Sequence, residues 1–313
     1  MGWPLLATAV ALTANLASAG AQAPPADELP ATEILDMEHE RHRRMTVPVT
    51  IGGQGPFQFM IDTGAQATVL SRVLADQLGL FDRRPATLVG MASTRPVETT
   101  EISDLGLGSR SFLIQTAPVV EGAYIGGADG ILGLDSLQNQ RVMIDFAQRQ
   151  LTVADADSPG ADKGFEIVVR ARRKLGQLII TSARLDGVKV AVMVDTGAQG
   201  SLGNMALLER LRRSQSIAET SLTDVNGVAL GGPVKIVQEL DLGRVRLNNV
   251  PVMFADSPTF HMLGLGSEPA LILGMDQLRL FNRVAIDFQT RRVLFDLPRG
   301  TDFTDAVRFG RRG

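Results

Sequence analysis

The sequence contains no cysteine. That one absence excludes disulfides, thiolate zinc sites, iron–sulfur clusters and cysteine nucleophiles, together with the acylated cysteine of a bacterial lipoprotein. Histidine is nearly as scarce. His39, His42 and His261 fall in no metal-ligand spacing, so neither a metal nor a cofactor is expected. Aromatic residues make up 5% of the chain, with a single tyrosine, Tyr124, and a single tryptophan, Trp3. A glycosidase would set two acids about 5–9.5 Å apart around a sugar, usually with aromatic platforms that this composition does not supply. No G-x-S-x-G occurs, which leaves serine hydrolase chemistry unsupported. A net charge of −3 gives no pull toward nucleic acid. What remains is ordinary globular composition, 44% apolar and 21% charged, in 313 residues, enough for two packed lobes.

Charge is also missing locally. The first 23 residues carry no Asp, Glu, Lys or Arg, are rich in Ala and Leu from Pro4 to Leu16, and end in Ala17-Ser18-Ala19 and Ala21-Gln22-Ala23. This predicts a secretory signal peptide over 1–23, cut after Ala19 or Ala23, and a periplasmic or secreted protein. The apolar run is short for a membrane span of about 20 residues and is broken by Thr8, Thr13 and Asn15. Because no Lys or Arg precedes it, an uncleaved N-terminal anchor is the alternative. Residues 24–44 read as a Pro-rich leader turning charged, and 298–313 as a solvated tail.

The body of the chain repeats itself. FMIDTGAQATVLS (Phe59 to Ser71) returns as VMVDTGAQGSLGN (Val192 to Asn204). DLGLGSRSFLIQTAPVV from Asp104 is answered by DLGRVRLNNVPVMFAD from Asp241, and ILGLDSLQNQRVMIDF from Ile131 by ILGMDQLRLFNRVAIDF from Ile272. The displacements, Asp62 to Asp195, Asp104 to Asp241 and Ile131 to Ile272, are 133, 137 and 141 residues, in one order. Three blocks in register predict two homologous lobes. They span 45–155 and 175–297, with a connection over 156–174 in which a polar Pro/Gly stretch is followed by a strand-like FEIVV.

Each copy reads as β. Phe57, Phe59 and Ile61 alternate with Gln58 and Met60, and Val188, Val190, Val192 and Val194 alternate with Lys189, Ala191 and Met193. Glycine turns punctuate the strands. One short helix follows each DTGA: Ser71 can cap one running to Leu78 and stopped by Gly79, and Asn204 one running to about Arg213. The fold expected is all-β with a few short helices, two lobes related by a pseudo-two-fold and a cleft between them.

Two copies of hydrophobic-hydrophobic-Asp-Thr-Gly-Ala, each followed by hydrophobic-hydrophobic-Gly (Ile131-Leu132-Gly133 and Ile272-Leu273-Gly274), resemble the retropepsin-like aspartic proteases, duplicated in one polypeptide as in pepsins. The resemblance covers roughly residues 45–297. It implies an aspartic endopeptidase in which Asp62 and Asp195 share one catalytic water. Two carboxylates about 3 Å apart cannot both ionise, so the pair holds one proton. The ionised member would take a proton from the water while its partner hydrogen-bonds the peptide carbonyl. Gly64 and Gly197 would allow the tight turn and aim N–H groups at the carboxylates. By resemblance, Thr63 and Thr196 lock the two loops together and the ILG segments brace them. Ala65 and Ala198 stand where pepsin-like enzymes usually carry Ser or Thr; without that hydroxyl the pair should keep its proton to higher pH.

Other recurring acids have plainer readings. Asp135, paired with Gln138, and Asp276 each start a short helix and read as caps. Asp145 and Asp287 read as turn or strand-edge acids, and Asp129 as a turn residue. Tyr124 is a candidate to line the cleft. The flap candidates lie between each DTGA helix and the following DLG strand, at 89–95 with Gly90 and Met91, and at 224–228 with Asn226 and Gly227. Both lobes have room for one, as in retropepsins. The partner expected is a peptide or protein substrate, acted on by a monomer, because both lobes lie in one chain. The rival reading is a catalytically inactive protease-fold module that binds in the cell envelope; it would not require both aspartates, threonines and glycines.

Overall fold

The computed structural model describes residues 11–12, 32–36, 38–39, 45–137, 140–155, 164–165, 167–211, 216–243 and 245–298. The expected signal peptide, apart from the strand Ala11–Leu12, and the tail beyond residue 298 lie outside the described residues, as do His42, Gln138 and Arg213. The described chain is mostly strand with a few short helices, arranged as two β-barrel-like bodies and a sheet joining them.

In the first lobe the strand Gln54–Ile61 runs into the DTGA loop, and Val69–Ser71 leaves it. Between them lies Gly130–Leu132, parallel to the first (Ile131 opposite Met60) and antiparallel to the second (Ile131 opposite Val69). The second lobe repeats this arrangement. Ala270–Leu273 lies between Val188–Val194 (Ile272 opposite Met193, parallel) and Ser201–Gly203 (Ile272 opposite Leu202, antiparallel). Each sheet then curls on itself. Met45–Ile51 also pairs with Thr94–Leu107, and Gln177–Leu185 with Ala229–Asp241, which removes two open edges.

The alternation legible in the sequence holds only at the outer ends of the DTGA strands. Val188 is half-buried and Lys189 exposed, but Val192, Met193 and Val194 are all buried; Phe59, Met60 and Ile61 behave likewise. There the strand is central and covered on both faces, so both sets of side chains are apolar. The helices are short. Arg72–Gln77 is capped by Ser71, whose Oγ accepts from Leu74 N, and Met205–Arg210 by Asn204, whose Oδ1 accepts from Leu207 N. The second helix ends before the point expected, because Leu211 leaves helical space (φ −88°, ψ 76°) and is buried in the core. The second lobe adds a helix at Pro258–Met262, capped by Ser257 with Pro258 at its start.

The leader and the connection are more structured than the sequence suggested. A six-stranded sheet runs Ile167–Arg170, Arg292–Asp296, Arg283–Asp287, Gln140–Asp145, Gln150–Asp155, Thr32–Asp36. It draws on the leader, both lobes and the connection. At its centre VMID of the first repeat pairs antiparallel with VAID of the second, and the equivalent residues Met143 and Ala285 stand directly opposite one another. The pseudo-two-fold therefore passes through this pair. Two residue pairs further along, Arg141 Nη2 lies 2.7 Å from Asp287 Oδ2, with both side chains buried.

Candidate active site

The two DTGA loops meet at the interface of the lobes. Asp62 N donates to Leu132 O (3.1 Å) and Asp195 N to Leu273 O (3.0 Å), so each aspartate is hung from the ILG strand beside it. The short helices that follow these strands hold the far side of each loop, as Leu134 N donates to Ala65 O (2.9 Å) and Met275 N to Ala198 O (2.8 Å).

Below the aspartates the threonines cross. Thr63 N donates to Thr196 Oγ1 (3.0 Å) and Thr196 N to Thr63 Oγ1 (3.2 Å). Their hydroxyls donate onward, Thr63 Oγ1 to Val194 O (3.0 Å) and Thr196 Oγ1 to Ile61 O (2.8 Å). Each hydroxyl thus accepts from one backbone N–H and donates to one carbonyl of the opposite lobe. All four polar groups are satisfied without solvent, which fixes the two loops against each other.

On each aspartate Oδ1 takes two backbone donors. Gly64 N (2.8 Å) and Ala65 N (2.9 Å) serve Asp62; Gly197 N (2.8 Å) and Ala198 N (3.2 Å) serve Asp195. Gly64 must be glycine, since a methyl group there would overlap the Asp195 carboxyl. Both aspartates are 0% exposed. Their outer oxygens, Asp62 Oδ2 and Asp195 Oδ2, are buried without a donor from the protein. Two buried carboxylates in contact cannot both stay ionised. Burial pushes both above the usual carboxylate range, Asp195 to about 6, and the Asp195 charge beside Asp62 adds to the rise there. One proton shared between the outer oxygens relieves the repulsion and supplies the missing donor, so the two titrate as a pair. Among the described residues no three His, Asp or Glu side chains gather as metal ligands.

The flap candidates lie at two hairpin tips. One joins Arg84–Val89 to Thr94–Leu107 and carries Gly90 and Met91; the other joins Ser216–Thr223 to Ala229–Asp241 and carries Asn226 and Gly227. The tips touch, as Asn226 Nδ2 donates to Ser93 Oγ (3.0 Å). The ring of Tyr124 lies against Gly227. It thus reaches the second lobe's hairpin from the body of the first.

The structure corrects two capping assignments. Asp135 sits in the first turn of Leu134–Leu137, but its carboxylate accepts from Thr68 N (2.9 Å) and Thr68 Oγ1 (2.6 Å), across the DTGA loop. Asp276 accepts from Gln199 Nε2, while its own helix, Met275–Leu278, is preceded at the cap position by Gly274, which supplies no side-chain cap. Both acids brace the loops that leave the dyad. Asp145 is a turn acid, accepting from Gln148 N (2.8 Å), and Asp129 accepts from Gln58 N (2.8 Å). Asp287 accepts from Thr290 N (2.7 Å) but is also the buried partner of Arg141. Sequence reasoning missed Gln177, a buried residue of the second lobe whose Nε2 donates to Gly64 O, and Gln66, whose Nε2 donates to Leu175 O (2.9 Å). Both side chains stitch the first DTGA loop to the second lobe; Gln66 recurs as Gln199 in the repeated DTGAQ, a signal that could have marked it, whereas Gln177 sits in no repeated motif.

Comparison with known families agrees with this arrangement lobe by lobe. Residues 47–139 match the family model described as gag-polyprotein putative aspartyl protease, and residues 181–277 the model described as aspartyl protease. No curated protein matches the chain.

Proposed function

Since the chain belongs to the retropepsin-like aspartic protease family, with two lobes in one polypeptide, we propose that it is an endopeptidase whose catalytic pair is Asp62 and Asp195. Membership implies a protease-type function on peptides or proteins. One observation carries the finer reading: two fully buried carboxyls whose outer oxygens receive no donor from the protein. Burying them is costly to folding. A module that only bound a partner would gain nothing from that cost.

In the proposed reaction a water lies between the two outer oxygens. The ionised carboxylate takes its proton as the water attacks the peptide carbonyl carbon; the protonated one donates to the carbonyl oxygen. Collapse of the tetrahedral intermediate passes a proton to the leaving amine, and the pair returns to its singly protonated state. The N–H groups of Gly64, Ala65, Gly197 and Ala198 hold the inner oxygens still meanwhile. Each lobe supplies one aspartate, so a single chain forms the whole site and works as a monomer. The uncharged, Ala/Leu-rich residues 1–23 favour action outside the cytoplasm.

Residues 24–313 incubated with a denatured-protein mixture across pH 3–8, with cut sites read by mass spectrometry, test the activity. Specific activity should not fall on dilution. Absence of cleavage at every pH would leave the inactive module as the better reading, and a steep fall on dilution would refute the monomer.

The pH dependence should carry the mark of the pair. Burial raises both carboxyls, Asp195 to about 6, and their mutual repulsion separates a lower from a higher protonation step, so between the two the singly protonated state should prevail at mildly acidic to near-neutral pH. Below the lower value both carboxyls are protonated and activity falls. Ala65 and Ala198 are buried beside the carboxyls and offer them only backbone N–H groups. Serine at both positions adds a hydroxyl donor that favours the ionised form, so the acidic limb of the pH–rate profile should move down by roughly one unit. A limb that stays in place would count against the hydroxyl argument.

A further inference from the structure

The two hairpin tips exchange side chains between the lobes. Met91, from the first lobe's tip, is fully buried in an apolar cluster of second-lobe residues that includes Met193, Ala198, Leu202, Phe260 and Ile272. Val225, from the second lobe's tip, is fully buried with Met60, Ala65, Val69, Ile125 and Ile131 of the first. Ala198 and Ala65 are the residues whose N–H groups hold Asp195 and Asp62. Each tip therefore fills an apolar well against the opposite lobe's aspartate loop.

A polar clasp holds the crossing closed. Asp224 is 0% exposed, and its Oδ1 is engaged within its own turn by Asn226 N (3.0 Å) and Val228 N (2.9 Å). Its Oδ2 accepts from the other hairpin, from Ala92 N (3.1 Å) and Ser93 Oγ (2.8 Å). Gly90 admits it, since a side chain there would overlap the Asp224 carboxylate. The tip carrying Met91 is pinned from the second lobe as well. Ser257 Oγ donates to Met91 O (2.6 Å) and Thr259 Oγ1 to Gly90 O (3.3 Å). The clasp has no mirror image, because Gly90–Ser93 offers no carboxylate in return.

We propose that this crossing is an autoinhibitory latch: Met91 and Val225 occupy the wells beside the dyad in the resting protein, and Asp224 holds both hairpins over it. This rests on the reading of Asp62 and Asp195 as the catalytic pair. A peptide then reaches the carboxyls only after the tips part. Hydrogen bonds to a carboxylate are the strong kind. Once the tips separate, water can solvate Asp224, so the latch opens reversibly.

A chain without cysteine allows a direct test. Met91→Cys places the only thiol in the protein at the plugged position, and Val73→Cys places one at an exposed site, Val73 being 74% exposed. Labelling by a maleimide, with no substrate present, reads opening alone and is independent of whether any peptide is cut. Met91→Cys should label at least ~10-fold more slowly than Val73→Cys, and adding Asp224→Ala should raise its rate by ~10-fold or more, with Val73→Cys unchanged. Ser93→Ala should act in the same direction but less strongly, and serves if Asp224→Ala disturbs the fold, which circular dichroism would reveal. Equal labelling of the two thiols in the protein that retains Asp224, or a Met91→Cys rate that neither clasp variant raises, would overturn the latch.

Discussion

Replacing either Asp62 or Asp195 by asparagine should lower turnover by roughly four orders of magnitude, and replacing both should cost little more than replacing one, because the two act as a unit. The same variants should be more stable than the wild type at pH 8. Both carboxyls hold their proton more tightly in the folded protein than in the unfolded chain. Their favourable contribution is complete below about pH 4 and is lost as pH rises through the folded values, about 6 for Asp195. Asparagine keeps the shape and never ionises, so it escapes that loss. Thermal melting should show each variant a few degrees above the wild type at pH 8 and level with it near pH 3.5. Substantial turnover in a folded single variant would sink the shared-water mechanism. A variant less stable than the wild type at pH 8 would contradict the raised values.

The second large effect is expected in the sheet between the lobes. Asp287→Asn preserves the side-chain volume and the turn but removes the charge facing Arg141 Nη2 at 2.7 Å, where both side chains are buried. Breaking such a pair from one side costs about 3–5 kcal/mol. The Arg292 guanidinium, 3.6 Å from the same carboxylate, loses its attraction too. Equilibrium unfolding in urea should register the loss as a lower midpoint. Replacing the pair together, as Arg141→Met with Asp287→Leu, should recover much of it, since two apolar groups need no mutual compensation. Equal stability of the Asp287→Asn variant and the wild type would mean that the ion pair contributes little.

The dyad was legible because it is written twice. A single Asp-Thr-Gly after an apolar strand is a common turn, but Asp62 and Asp195, each followed by ILG at nearly the same distance, specify two copies of one loop. The strands around them carried a readable alternation, and Ser71 and Asn204 announced their helices. What could not be read depends on contacts between distant segments that no local pattern encodes. Thr32–Asp36 looks like part of a polar leader until Gln150–Asp155 supplies an edge for it to pair with. Asp135 has the position of a cap, and only the fold shows that Thr68 claims its carboxylate. Met91 and Val225 are ordinary apolar residues in turn-forming stretches; their burial follows from the opposite lobe being there to receive them.

The sheet between the lobes also sets when the site can exist. Its two central strands come from different halves of the chain, and Arg292–Asp296, near the end of the described chain, completes the second lobe's side of it. Thr63 has no Thr196 to cross with until the second half of the polypeptide has been made and folded. During synthesis the first half therefore carries a lone aspartate without its counterpart, and the carboxyl pair on which the proposed activity rests assembles only once the second half has folded.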